Sequence, residues 1–252
     1  EILRCLVGSE MCIRDRYPVA VPFVGNYTEE KIKKAMHILK EDFAGFDAQL
    51  IIMDVVPWML PYYEASGIQF EIEDNRDYMD YTFTPEQFLA GMDMQDDRYR
   101  YNYFKRRFAY ETEEITPFHR EEIREFMERE WCGEKTCEEC HCGCLLRVID
   151  NLVPVFDKIR INGILVRVEG KMAGLCIVSC RNGLGVYQYK NAVNRIKGIN
   201  EYLLRESFER YLQSADTINY TEDMGVENLR YYKEHMAPAH TLLSKLTLTE
   251  RG

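Results

Sequence analysis

The pattern of hydrophobic and polar positions divides the chain into alternating predicted strands and helices. Short apolar runs such as residues 49–56 predict buried strands, and apolar positions three and four apart predict amphipathic helices, as in residues 28–43. Capping residues mark helix starts, for example Thr84 followed by Pro85. Residues 108–252 give the predicted order β-α-α-β-β-β-α-β-α-β. This order predicts an α/β fold with a mixed sheet.

The first part of the chain ends in a similar order, helix–strand–helix–strand–strand. We therefore predict a tandem fold made of two related halves, of which the N-terminal one is truncated. The predicted regions are residues 1–16 as a separate segment, 17–91 as the partial N-terminal half, 92–107 as a linker helix, and 108–252 as the complete C-terminal half.

Residues 1–16, EILRCLVGSEMCIRDR, are set apart from the rest of the chain. Their apolar run is too short and too interrupted for a signal peptide. The segment resembles translated sequencing adapter, which recurs at gene ends in metagenomic assemblies. The resemblance implies that residues 1–16 are not native and that the natural gene begins further upstream. The alternative is a native, poorly ordered N-terminus.

Composition is that of an ordinary soluble globular protein. The 252 residues are 46% hydrophobic and 29% charged, with a formal net charge of -10. No apolar run approaches the roughly 20 residues of a membrane span. The acidic total weighs against a general nucleic-acid binder, although it is compatible with a local basic cleft. Nine cysteines suit a reducing compartment, so we predict a cytoplasmic location.

Residues 216–238, DTINYTEDMGVENLRYYKEHMAP, hold the densest set of candidate site residues. A short apolar run ends in a polar corner, and a helix follows Gly225. This arrangement is how an α/β fold builds a site at the carboxyl end of a strand. The polar side chains are Asn219, Glu222 and Asp223 before the glycine, and Arg230 and Lys233 after it.

The two carboxylates, Glu222 and Asp223, are candidate catalytic groups that would hold or deprotonate an attacking amine or hydroxyl. Arg230 and Lys233, with Asn219, are candidates for binding an anionic part of the substrate. The structural alternative is a polar network in which Asp223 caps the helix and pairs with Arg230.

This segment resembles the N-x-x-E-D-x-G-x-x-x-L-R-x-x-K signature of the phosphatidylglycerol lysyltransferase C-terminal domain family. The resemblance implies a doubled acetyltransferase-like (GNAT) fold and an acyltransferase whose donor substrate is aminoacyl-tRNA. The aminoacyl group would pass to an amine or hydroxyl of a small molecule or a lipid headgroup. The family includes stand-alone soluble members of unknown substrate. The resemblance assigns no definite cofactor.

A second candidate site follows the predicted strand that contains Lys190. The sequence Arg195-x-x-Gly198-x-Asn200 is close to the loop by which acetyltransferases hold the pyrophosphate of coenzyme A, with asparagine where glycine or alanine is usual. A helix N-terminus attracts anions. We predict Lys190 as a catalytic residue and the loop, with Lys197, as an anion site for coenzyme A, tRNA phosphate or lipid phosphate. The alternative is an ordinary basic loop before a helix.

Five cysteines and one histidine lie within thirteen positions: Cys132, Cys137, Cys140, His141, Cys142 and Cys144. Cys-x2-Cys is a zinc-ligand spacing, so the cluster is a candidate metal site. However, zinc knuckles usually pair two such motifs and only one is present. The alternative is a set of partly buried loop cysteines. One of these cysteines could also act as a nucleophile in its thiolate form, but the sequence does not identify a histidine or aspartate partner for it.

Residues 98–107, RYRYNYFKRR, interleave basic and aromatic side chains. Such a segment can stack on and track single-stranded RNA, and an acceptor stem of tRNA would need a patch of this kind. The alternative is an amphipathic linker helix with buried rings. Three functions therefore stay open: an aminoacyl-tRNA-using acyltransferase, a coenzyme A-dependent N-acyltransferase, and a non-enzymatic binding or zinc-holding protein.

Overall fold

The structure is a computed structural model that describes residues 19–20, 22, 26–43, 49–132, 145–236 and 240–251. The chain forms two compact units. The first contains the described residues up to Met79 and those from Leu243 onward, and the second contains the described residues from Asp80 to Leu242. Each unit has its own sheet and hydrophobic core.

The elements below are numbered in chain order. The strands are β1 (Val19–Ala20), β2 (Ile51–Val55), β3 (Phe70–Asp74), β4 (Asp80–Phe83), β5 (Tyr110–Glu114), β6 (Asn162–Val168), β7 (Lys171–Arg181), β8 (Leu184–Ala192), β9 (Thr217–Asn219), β10 (Thr241–Leu243) and β11 (Leu246–Glu250). The α-helices are α1 (Glu29–Phe43), α2 (Leu60–Glu64), α3 (Pro85–Met92), α4 (Gln95–Arg107), α5 (Arg120–Met127), α6 (Leu145–Leu152), α7 (Ile199–Ser207) and α8 (Glu227–Met236). Short 3-10 turns lie at Pro57–Met59, Arg76–Tyr78, Pro117–His119 and Val153–Val155, and π-helical turns extend α5 and α7 at Glu128–Cys132 and Phe208–Leu212.

The first unit is built on a four-stranded sheet in the order β1-β2-β11-β3. Strand β11, from the C-terminal part of the chain, lies antiparallel between β2 and β3. Its alternate residues Leu246 and Leu248 are buried in the core of this unit, against residues that include Met36 of α1. The last strand in the order predicted from the sequence is expected as a single strand near residues 241–248. That prediction is wrong, because the structure has two strands there, β10 and β11, which belong to different sheets.

The boundaries of the two compact units differ from those of the predicted halves, residues 17–91 and 108–252. Strand β4, predicted in the N-terminal half, lies in the second unit because it pairs antiparallel with β9. Strand β11, predicted in the C-terminal half, completes the first unit. A linear order of elements does not show such long-range pairing. The predicted linker helix of residues 92–107 corresponds to α4, and residues 1–16 lie outside the described residues.

The second unit has a seven-stranded mixed sheet in the order β10-β4-β9-β8-β7-β6-β5, which confirms the predicted fold class. Strands β5 to β8 form an antiparallel meander, and β9 is parallel to β8. Pairing between β8 and β9 runs only from Leu184 to Val186, whereas β8 stays paired with β7 as far as Ala192. A register shift on β8 leaves Gln188 as a bulge. Pairing between the two parallel strands therefore ends before β8 reaches its bulge, and the remainder of β8 is paired with β7 alone among the described strands.

Helices α4 and α7 pack against each other in the second unit. Phe104 of α4 is fully buried and packs against the ring of Tyr202 of α7, with 4.9 Å between ring centroids. Gly198 precedes α7 with a φ of 89°, and a Cβ at this position would lie 2.1 Å from the carbonyl oxygen of Arg100. Glycine therefore allows α7 to begin in direct contact with the α4 backbone.

None of the helices that the structure describes has both the length and the apolar character needed to span a bilayer.

The position of β11 can be tested with Leu248→Ala. Leu248 is fully buried, so removing its side chain leaves a cavity in the first unit and should lower the free energy of unfolding by about 2–5 kcal/mol. Thr247→Ala is the control, because Thr247 points to the less buried side of the same strand. Denaturant unfolding followed by circular dichroism measures both. Equal effects of the two substitutions would contradict the described orientation of β11.

Candidate functional site

The candidate site surrounds the loop that connects β9 to α8, residues 220–226, which we call the signature loop. Thr221 and Met224 have φ values of 57° and 53°, in the left-handed region that non-glycine residues rarely adopt. Gly225 adopts a φ of 70° beside them. A backbone in this state persists only where surrounding contacts hold it, and such strain is often found at functional sites.

Asp223 is the central polar residue of the signature loop, and its side chain is fully buried. Its Oδ2 accepts hydrogen bonds from the Tyr81 hydroxyl at 2.7 Å and from Arg230 Nε at 3.0 Å. Its Oδ1 accepts from Arg230 Nη2 and from the backbone N–H of Gly225, each at 2.9 Å. The predicted structural alternative, a pair between Asp223 and Arg230, is therefore observed.

Burial and hydrogen bonding shift the pKa of the Asp223 carboxyl group in opposite directions. Burial alone would raise the pKa of its carboxyl group, but the hydrogen bonds from Arg230, Tyr81 and Gly225 outweigh burial and hold the pKa well below its usual range. Asp223 is therefore ionised near neutral pH, with both oxygens occupied by protein donors. This geometry gives Asp223 a role in holding the signature loop.

Lys233 of α8 fixes the other side of the loop. Its buried ammonium donates to the carbonyl oxygens of Tyr220 at 2.6 Å, Thr221 at 3.1 Å and Glu222 at 2.7 Å. Burial lowers the pKa of Lys233 to about 8, against the opposing effect of nearby carboxylates, of which Glu222 contributes most. Three carbonyl acceptors match the three protons of an ammonium, so Lys233 binds the backbone of the loop in its charged form.

Asn219 connects the loop to the neighbouring strand. Its Nδ2 donates to Asp80 of β4 at 2.8 Å, and its Oδ1 accepts from the N–H of Thr221 at 2.7 Å. The side chain of Glu222 is half-buried next to this corner. Asn219 therefore fixes the start of the signature loop to the sheet.

Lys190 lies on the part of β8 that extends beyond the last pair with β9. Burial raises the pKa of the Tyr220 hydroxyl, and the charge of the adjacent Lys190 opposes that rise. The ring of Tyr220 is also 4.8 Å from the ammonium of Lys233. Tyr220 thus connects Lys190 with the residues of the signature loop. The structure brings together these predicted site residues: Lys190, Asn219, Glu222, Asp223, Arg230 and Lys233.

Asp97 is a further candidate site residue that the sequence motifs did not indicate. It lies half-buried on α4, where burial and the charge of Glu201 raise its pKa to about 6, while Arg100 and Lys190 act in the opposite direction. Asp97 and Glu201 line one small cavity together with Tyr232 of α8. Helical spacing could have indicated that Asp97 points inward, because it precedes the buried Phe104 by two turns and lies on the same face of α4.

The remaining predicted anion-binding residues lie at the N-terminal end of α7. The side chain of Arg195 is 76% exposed and lies 3.7 Å from Glu130. The ammonium of Lys197 lies over the rings of two tyrosines of α4. Gly198 contacts the α4 backbone, and Asn200 lies in the first turn of α7. Anion binding by this group stays a prediction.

Across the described part of the chain, no group of three or more metal-ligating side chains is arranged to hold a metal ion. Cys132 ends the π-helical turn after α5. Cys137, Cys140, Cys142 and Cys144 lie outside the described residues. Zinc binding by the cysteine cluster therefore also stays a prediction.

Comparison with known families shows which family the chain belongs to. The family model described as phosphatidylglycerol lysyltransferase, C-terminal, matches residues 10–244. The chain belongs to this family. The match includes residues 10–16, which are part of the segment that resembles translated sequencing adapter. No curated protein matches the chain.

Solved structures show the same fold. A protein of unknown function from Bacteroides thetaiotaomicron is 25% identical with a TM-score of 0.73, covering 92% of this chain and 79% of that chain. L-PGS from Bacillus licheniformis is 14% identical with a TM-score of 0.64, covering 93% and 78%. A tandem GNAT protein from the clavulanic acid biosynthesis pathway is 12% identical with a TM-score of 0.54, covering 92% and 75%. The predicted GNAT-like fold is confirmed, and family and fold together indicate an acyltransferase.

The role of Asp223 can be tested with Asp223→Asn. An amide cannot replace the paired charge of a buried carboxylate, so the free energy of unfolding at pH 7 should fall by about 2–3 kcal/mol. Because the folded-state pKa is depressed, the contribution of Asp223 is present above about pH 4 and is lost as the pH falls further.

Urea unfolding between pH 7 and pH 2.5 measures this difference. The gap between the wild-type and Asp223→Asn curves should narrow as the pH falls below about 4. Glu227→Gln, which changes an exposed carboxylate at the start of α8, is the control and should leave the wild-type curve almost unchanged. A constant gap between wild type and Asp223→Asn at every pH would overturn the assignment.

Proposed function

We propose that this chain transfers an aminoacyl group from aminoacyl-tRNA to an amine or hydroxyl acceptor where β8 separates from β9. The observation that carries the proposal is the position of Lys190, on the stretch of β8 beyond its pairing with β9 and next to Tyr220. The family and the fold support an acyltransferase. A cytoplasmic location, where aminoacyl-tRNA is made, belongs to the same proposal.

The reacting ester would lie along the separated part of β8. As the acceptor attacks the ester carbonyl, negative charge develops on the carbonyl oxygen. The ammonium of Lys190, together with β8 backbone N–H groups, would stabilise this charge, as oxyanion-binding groups do in other acyl-transfer enzymes. The signature loop would keep Tyr220 and Lys190 in place, because Lys233 and Asp223 fix its backbone.

Asp97 would accept the proton of the attacking group. Its pKa of about 6 leaves it ionised at neutral pH but still basic enough to take part in proton transfer. The acceptor nitrogen or oxygen forms a bond to the carbonyl carbon and gives its proton to Asp97. The ester bond to the tRNA breaks, and the departing 3′ or 2′ oxygen takes a proton from solvent. No covalent enzyme intermediate is required.

A second candidate donor is an acyl-coenzyme A. The observation that favours it is the location of Arg195 and Gly198 at the beginning of α7, where a helix N-terminus offers backbone donors to a pyrophosphate. The similarity to a tandem GNAT protein supports the same alternative at the level of fold. The acceptor is a small molecule or a lipid headgroup in either case.

The test is transfer of a labelled acyl group by the full chain, with aminoacyl-tRNA and acetyl-coenzyme A as separate donors. Phospholipid vesicles and a mixture of small amines serve as acceptors. Lys190→Met should lower aminoacyl transfer by about 100-fold, as the loss of one oxyanion-stabilising group does elsewhere. Lys171→Met is the matched control, because Lys171 is an exposed lysine at the start of the adjacent strand β7. Transfer from acetyl-coenzyme A alone would overturn the proposed donor.

The proton-accepting role of Asp97 predicts a pH dependence. The rate of transfer by the wild type should fall as the pH drops below about 6, because Asp97 becomes protonated. Asp97→Asn should lower the rate at pH 7 and should not show this fall. Asp96→Asn changes the exposed neighbouring carboxylate and serves as the control. A wild-type fall near pH 6 that survives in Asp97→Asn would exclude Asp97 as the proton acceptor.

A further inference from the structure

The outer face of α4 carries a set of basic and aromatic side chains, all exposed except the half-buried Tyr103, that the proposed chemistry does not use. Helical spacing places Arg98, Tyr99, Asn102, Tyr103 and Arg106 on the side opposite the buried Phe104. Lys197, from the loop before α7, lies on the same side because its ammonium covers two of these rings. We call these residues, from Arg98 to Arg106 with Lys197, the basic–aromatic surface.

The cations of the basic–aromatic surface differ from most arginines of the second unit. Arg120, Arg124, Arg167, Arg205, Arg210 and Arg230 each form an ion pair with a carboxylate. Within the described ranges, Arg98, Arg106 and Lys197 form none. Arg106 donates only to the carbonyl oxygen of Asn102, at 3.2 Å. In a chain of net charge -10, three cations without carboxylate partners on one face form a local site for anions.

The rings of this surface are arranged for stacking. The ammonium of Lys197 lies 4.8 Å from the ring centroid of Tyr99 and 5.2 Å from that of Tyr103. Tyr99 is still 50% exposed, so much of its ring surface is available to a planar ligand. Cations beside an accessible aromatic ring are the combination that single-stranded nucleic acid requires, because phosphates bind to the cations and bases stack on the rings.

We infer that the basic–aromatic surface binds single-stranded RNA, with phosphates at Arg98, Arg106 and Lys197 and a base on Tyr99. The inference rests on the proposed function only for the identity of the RNA, which would be the 3′ end of the donor tRNA. The acidic charge of the remaining chain disfavours RNA elsewhere, so the surface would also orient the RNA.

The test is fluorescence anisotropy of a labelled 12-nucleotide RNA that ends in CCA and carries no amino acid, with the full chain at several salt concentrations. Tyr99→Leu should lower the affinity about tenfold without changing its salt dependence, because stacking is lost and no charge is. Lys197→Gln should lower the affinity and reduce the slope of log K against log salt by about 0.7, the value for one phosphate contact on a single strand.

Two control variants accompany these measurements. Phe118→Leu removes an aromatic ring that is 96% exposed, and Lys171→Gln removes an exposed lysine. Both should bind the RNA as the wild type does. The inference is overturned if the wild type does not bind, or if the controls lose as much affinity as the test variants.

Failure of this inference and failure of the proposed function give different results. RNA binding that depends on Tyr99 and Lys197 without aminoacyl transfer would retain the surface and exclude the proposed reaction. Aminoacyl transfer by the wild type, together with unchanged RNA affinity in Tyr99→Leu and Lys197→Gln, would retain the reaction and exclude the surface.

Discussion

The buried polar contacts of the signature loop are the constraint on which the candidate site depends. Two non-glycine residues of this loop have left-handed backbone conformations, which cost free energy. Two further costs are the burial of the Asp223 carboxylate and of the Lys233 ammonium. These costs are offset only together, because Lys233 donates to three loop carbonyls and Asp223 accepts from Arg230, Tyr81 and Gly225. If one partner is removed, the other is left as a buried group without compensation.

The same network sets the position of the chemically available groups. Tyr220 is the first residue of the loop, and its hydroxyl is next to Lys190 while its ring faces Lys233. Lys190 itself sits where β8 has lost its pairing with β9. The residues that hold the loop therefore meet Lys190, the residue proposed for the chemistry, at Tyr220. Under the proposed function, the signature loop holds the site in place and the chemistry takes place beside it.

Local features were predictable from the sequence, and long-range features were not. The capping box at Thr84, the helix α4 and the β6–β7 hairpin follow from short patterns and are present in the structure. The pairs β4–β9 and β11–β2 join residues far apart in the chain, so no local pattern specifies them. The sequence also identified the residues of the signature loop but left open whether Asp223 was structural. The structural role of Asp223 depends in part on the hydrogen bond that it accepts from Tyr81, which is 142 positions away along the chain.

The central position of β11 has a consequence for the synthesis of this protein. Strands β2 and β3 are made well before β11, the strand that lies between them. At about 5 to 20 residues per second, the roughly 170 residues that separate β3 from β11 take on the order of ten seconds or more. During this time the facing edges of β2 and β3 present unpaired backbone groups, which are templates for aggregation. The nascent chain therefore depends on β11 to protect the facing edges of β2 and β3.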